Sequence, residues 1–107
     1  MSRTIRRISF NGDQKETEER IHDFLVQEDY REINYDREIV WKKGTGIMSA
    51  MHYIKIEFKK NELVISGWVR IGIGDAAGKE QALSGILGMV PKKAVLKTIK
   101  ELEAMIV

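Results

Sequence analysis

His52-Tyr53-Ile54-Lys55-Ile56-Glu57-Phe58-Lys59-Lys60-Asn61-Glu62-Leu63-Val64-Ile65-Ser66-Gly67-Trp68-Val69-Arg70-Ile71 is the stretch that decides the fold. Apolar and polar residues alternate through His52–Phe58, and alternation resumes from Leu63, giving the period of two expected of strands. Lys60-Asn61 lies between them as a turn. With Lys59 opposite Glu62, Phe58 pairs with Leu63, Ile56 with Ile65 and Ile54 with Gly67. The large apolar groups of these pairs then share one face, and a slip of one residue would move them all to the other. The same register sends Tyr53, Lys55, Glu57 and Lys59 to the opposite face with Val64, Ser66, Trp68 and Arg70. There Tyr53 stands directly across from Trp68, an aromatic cross-strand pair of a kind worth about 0.2–1 kcal/mol.

Working outward, Ile33-Tyr35 and Ile39-Val40-Trp41 predict two short strands around a turn at Asp36-Arg37. Either Trp41 or Lys42 shares the face of Tyr53, and the pattern leaves the choice open. Ile5–Phe10 predicts a first strand, with Ile8 and Phe10 on one side. Asp13 and Glu16 have the spacing of a helix-starting capping box. The helix they open runs to about Asp29, with Thr17, Ile21, Phe24 and Leu25 as its buried stripe. Pro91 suits the first turn of a last helix, whose stripe is Val95, Ile99, Leu102 and Ile106. Lys92, Lys93, Lys97 and Lys100 are placed outside. Between these elements, Gly72–Gly78 reads as a loop and Ala82–Met89 as neither clearly helix nor loop. The expectation is an α+β fold of strand-helix-strands-helix order, with an antiparallel sheet of four to five strands and both helices on one face. A half-barrel gripping its last helix and a saddle-like sheet both fit that order, as analogies of fold alone.

At 107 residues the chain is read as one domain spanning 1–107. A chain of this size buries about 65% of its unfolded surface, enough for one core without staples. Zero cysteines exclude disulfides, iron–sulfur clusters and a thiol nucleophile within the chain. Lys+Arg exceeds Asp+Glu by only 18 to 16, far from the excess of a dedicated nucleic-acid binder. The basic start has no apolar run behind it and no stretch reaches about 20 apolar residues, so a cytoplasmic location and no membrane span are expected. The apolar end at Ala104-Met105-Ile106-Val107 is expected either to dock into the core or to continue into a longer chain.

The motifs that suggest catalysis fail on spacing. A phosphate loop ending at Gly78-Lys79 would need glycine at Ile73 and Ser or Thr at Glu80. Gly74 and Gly78 are one residue too far apart for a dinucleotide fingerprint, and no βαβ unit surrounds them. His22 and His52 have no second histidine at ligand spacing. Glu18-Glu19 and Glu101-x-Glu103 read as helix-surface carboxylates, and no serine sits in a nucleophile elbow. The reading is therefore of a protein that is not an enzyme, with no cofactor and no metal.

What is left is a contact surface. Tyr53, Lys55, Trp68 and Arg70 are the candidate partner-binding residues, set on the sheet face away from the helices, where a protein partner or self-association is expected. Lys93, Lys97 and Lys100 are candidate contacts for an anionic ligand, which makes a nucleic acid or anionic surface the alternative. A third possibility is a small-molecule carrier, its ligand lying between sheet and helices near Gly44–Gly46 and Gly72–Gly78. Such a carrier needs a cavity on the order of 300 Å³.

Trp41-Lys42-Lys43-Gly44-Thr45-Gly46, the Ile54-Lys55 strand, Ser66-Gly67-Trp68, the glycine-rich loop and Gly88-x-x-Pro91-Lys92-Lys93 together resemble an uncharacterised domain of Gram-positive bacterial proteins. That domain often stands at the N-terminus, ahead of a zinc ribbon or a membrane segment. The resemblance covers about residues 30–106 and implies no activity and no functional residues. Since this chain carries neither the cysteines nor the membrane segment, the resemblance implies a stand-alone or excised member.

Overall fold

The computed structural model describes residues 3–44, 50–71, 80–84 and 89–106. Its elements in order are β1 (Thr4–Ser9), α1 (Gln14–Gln27), β2 (Arg31–Tyr35), β3 (Glu38–Lys43), β4 (Met51–Lys59), β5 (Glu62–Arg70), β6 (Glu80–Gln81) and α2 (Met89–Ile106). The strands form one antiparallel sheet in the order β1-β5-β4-β3-β2, and the two-residue β6 pairs with β5 beyond the end of β1. The fold is thus α+β with both helices on one face, as expected, and β6 is one short strand more than the alternation revealed.

Local chemistry explains the elements. Asp13 caps α1 by accepting a hydrogen bond from the Glu16 amide at 3.0 Å. The helix ends in a Schellman arrangement, in which the Asp29 amide donates to the Val26 carbonyl and the Tyr30 amide to the Leu25 carbonyl. Asp29 takes the left-handed conformation there (φ 68°), a place more often given to glycine. The β2–β3 hairpin turns at Asp36 and Arg37, whose φ values of 49° and 71° are those of the primed turns that suit twisted strands. The β4–β5 hairpin keeps the expected register throughout, from Lys59 opposite Glu62 to Tyr53 opposite Trp68. Alternation and turn therefore agree.

The main core lies between the helices and the sheet. Ile21 and Leu25 of α1 and Val95, Ile99 and Leu102 of α2 bury against Trp41, Ile54, Leu63, Ile65 and Val69. Gly67 is a close-approach point. A Cβ there would stand 2.6 Å from Ile99 Cδ1 and 3.0 Å from Leu83 Cδ1. The missing side chain lets α2 settle directly on β5. Lys92 departs from expectation: it is buried, because its Nζ donates to the Ser84 carbonyl at 2.7 Å. No helix among the described residues is long and apolar enough to cross a membrane.

Candidate functional site

The face of the sheet away from the helices carries its own closed cluster. Register places Lys42, not Trp41, across from Tyr53, so Trp41 belongs to the helix side. Tyr53 and Trp68 meet as the sequence register requires and stack with centroids 5.4 Å apart and planes 6° from parallel. Tyr35 leans on both rings, and Val40 and Met51 complete the apolar group. Both central aromatics are covered, however, with Trp68 0% and Tyr53 1% exposed. The open aromatic surface expected from alternation is therefore not found.

Part of that cover comes from distant residues. The Arg3 guanidinium sits 3.7 Å above the centre of the Trp68 ring. It holds Glu38 and Glu80 in bidentate pairs at 2.8–3.0 Å. Lys55 donates to Glu38 at 2.8 Å, and the Tyr35 hydroxyl to Glu80 at 3.0 Å. Arg3 and Lys55 together hold the Glu38 carboxyl down to about 2. Of the expected contact residues, Lys55 is thus bound into this network, and the half-buried Arg70 lies 6.0 Å from the centre of the Tyr35 ring. The structure brings all four expected residues onto one face but encloses the two aromatic ones.

The expected anionic-ligand contacts Lys93, Lys97 and Lys100 are all exposed on α2. The arginines at and just before the first strand are each engaged by a carboxylate. Arg6 pairs with Glu103, Arg7 with Glu62 and Arg3 with the two glutamates above. Of the two glycine stretches named for a carrier site, Gly44 is described; residues 45–46 and 72–78 lie outside the described residues. Among the described residues no group of His, Asp and Glu converges as a metal site would require. His52 is held below its ordinary range by burial and by the nearby Lys43 charge.

The helix side offers what the outer face does not. α2 lies over β5 and β4, and beside α1 the sheet is left partly uncovered. A groove of about 600 Å³ opens there, with Ile39, Trp41, Ile56 and Phe58 among its lining. Ile39 shares the face of Trp41, two residues on, and is 58% exposed. Ile21 and His22 of α1 also line the groove, and the His22 ring meets Trp41 edge-on at 5.5 Å. Four carboxylate residues line it as well: Glu18, Glu19 and Asp23 from the helix, and Glu32 from β2, opposite Trp41 in the sheet. Among the described residues, no lysine or arginine lines it.

Sequence reasoning missed this groove because it treated the α1 carboxylates as a solvated face. The available signal was Ile39, whose strand phase follows from that of Trp41 once Trp41 is assigned to the helix side. Compared with protein-family models, curated proteins and solved structures, the chain matches none of them.

Proposed function

We propose that this chain is a non-enzymatic binding module that receives a partner in the groove between α1 and the β2–β3–β4 end of the sheet. The observation that carries the reading is the exposed Ile39 at the edge of this apolar lining. Ile39 is more than half exposed beside Trp41, Ile56 and Phe58, while the corresponding surface over β5 is filled by α2. An apolar surface left open beside polar walls is the usual form of an interaction site. The volume exceeds the roughly 300 Å³ of the smallest ligand pockets. But the groove is open along one side, and a small ligand is normally enclosed over about 70–90% of its surface. That favours a macromolecular segment over a carried molecule. On this reading the outer face, with Tyr53 and Trp68 enclosed, is structural support.

The test is an amide-resolved NMR titration with a pool of small aromatic fragments. Shifts gathered at Ile39, Trp41, Ile56 and Phe58 support the groove. Shifts gathered at Tyr53, Lys55, Trp68 and Arg70 would return the contact surface to the outer face, and silence at both would remove the groove reading. Short single-stranded RNA and DNA, added at about 50 and about 200 mM salt, form the second arm. Salt-sensitive shifts at Lys93, Lys97 and Lys100 would make the module an anionic-ligand binder instead.

A further inference from the structure

We infer that the groove beside α1 takes a basic peptide segment of a protein partner, with an apolar side chain on the floor and lysine or arginine on either side of it. The inference rests on the groove reading above and adds the chemistry of the occupant.

The argument is charge complementarity around an apolar floor. The chain as a whole is slightly basic, with a net charge of +2. Yet, among the described residues, the groove gathers four carboxylates and not one lysine or arginine. Three come from α1 and the fourth, Glu32, from β2, where it stands opposite Trp41 in the sheet, so negative charge reaches the groove from the helix and from the sheet. The carboxylates do not converge as a metal site requires, and a charge pattern spread over helix and sheet suits several cations held apart on one chain. Beside these carboxylates lies Ile39, exposed and apolar, with the half-buried Ile56 and Phe58 next in the lining and the buried Trp41 beneath. An acidic partner would meet like charge from helix and sheet, and repulsion of that kind excludes partners as effectively as attraction selects them. The half-buried Phe58 ring adds a favourable contact for a guanidinium or ammonium group.

The experiment uses the full chain and three synthetic peptides of equal length: one alternating Lys with Leu and Phe, one with Glu replacing each Lys, and one with Ser replacing each apolar residue. NMR shifts and fluorescence titrations are read at about 50 and about 200 mM salt, the range over which exposed charge contacts weaken. The basic apolar peptide is expected to bind at least tenfold more tightly than either relative, moving the signals of Ile39, Trp41 and Glu32, and to lose several-fold in affinity at the higher salt. The double variant Glu19→Lys with Asp23→Lys should weaken it at least tenfold. Ile39→Ser should do the same, and because all three positions are exposed, both variants should keep the parent's melting midpoint. Equal binding of the basic and acidic apolar peptides, with groove signals moving, would overturn the inference and leave the groove reading standing. Failure of every peptide and of the aromatic fragments would overturn both. Groove signals that move with concentration in the protein alone, with a doubling of mass, would make the occupant a second copy of the chain and overturn it too.

Discussion

Arg37 sits in a conformation its side chain resists. At φ 71° a residue with a Cβ crowds the following carbonyl, at a cost of roughly 1–2 kcal/mol. Asp-Gly is the pair that this turn favours, so Arg37→Gly should stabilise the fold by about 1 kcal/mol, or roughly 4–8 °C in melting midpoint. An unchanged or lower midpoint in a thermal scan would contradict this. Glu38 gives a second residue-scale expectation. Its carboxyl lies at about 2 in the folded chain, against an ordinary 4.5. A lowered carboxylate contributes stability above its ordinary value and loses that contribution as the pH falls towards the folded value. Urea midpoints should therefore drop between about pH 5 and pH 2, and Glu38→Gln should flatten that limb. A variant with the parent's acid slope would mean that Arg3 and Lys55 do not hold the charge. His52 acts earlier on the same side: its lowered value means that the folded chain resists its protonation, so stability falls as acid takes the pH below the histidine range.

At the scale of elements, the β4–β5 hairpin was legible to the last pair because two independent signals, alternation and turn, demanded one register. The helix stripes were legible for the same reason: Thr17, Ile21 and Leu25, and Val95, Ile99 and Leu102, are buried where the 3.6-residue period put them. Lys92 was not, since its burial depends on a carbonyl at Ser84, in a segment without periodicity. The seam between α2 and β5 depends on Gly67, and Gly67→Ala would push a methyl group towards Ile99, Leu83 and Val95. The expected cost is about 1–3 kcal/mol, the usual range for overpacking. Differential scanning calorimetry should show the loss, with methyl NMR shifts centred on Ile99. A neutral substitution would mean that the seam has slack.

For the molecule as a whole, the division between a closed outer face and an open groove could not be read from local pattern. Trp68 alternates as an outward residue should, and it is residues 77 positions apart, Arg3 and Glu80, that meet above it. Long-range ion pairs leave no periodic trace. Nor does a gap between a helix and a sheet, which depends on where α1 comes to rest. Trp68→Ala tests the closed face: with the ring fully buried, its loss should cost about 3–5 kcal/mol, a large share of a typical domain's stability. A variant whose unfolding free energy from urea titration falls by less than about 1 kcal/mol would show that the outer face is open in solution after all. The sheet order carries a consequence of another kind. β1 pairs with β5, so every residue of Thr4–Ser9 waits for a partner more than fifty positions later in the chain. During synthesis, β2 to β5 leave the ribosome in the order in which they neighbour one another in the sheet and can pair as they emerge, whereas β1 has left long before and must stay unpaired until β5 appears. α2 follows last of all. The nascent chain thus spends its middle period with an unpaired strand edge and an uncovered apolar sheet face, the state most open to wrong partners. A pause once residue 70 has cleared the ribosome should help β1 find its place before α2 closes the core.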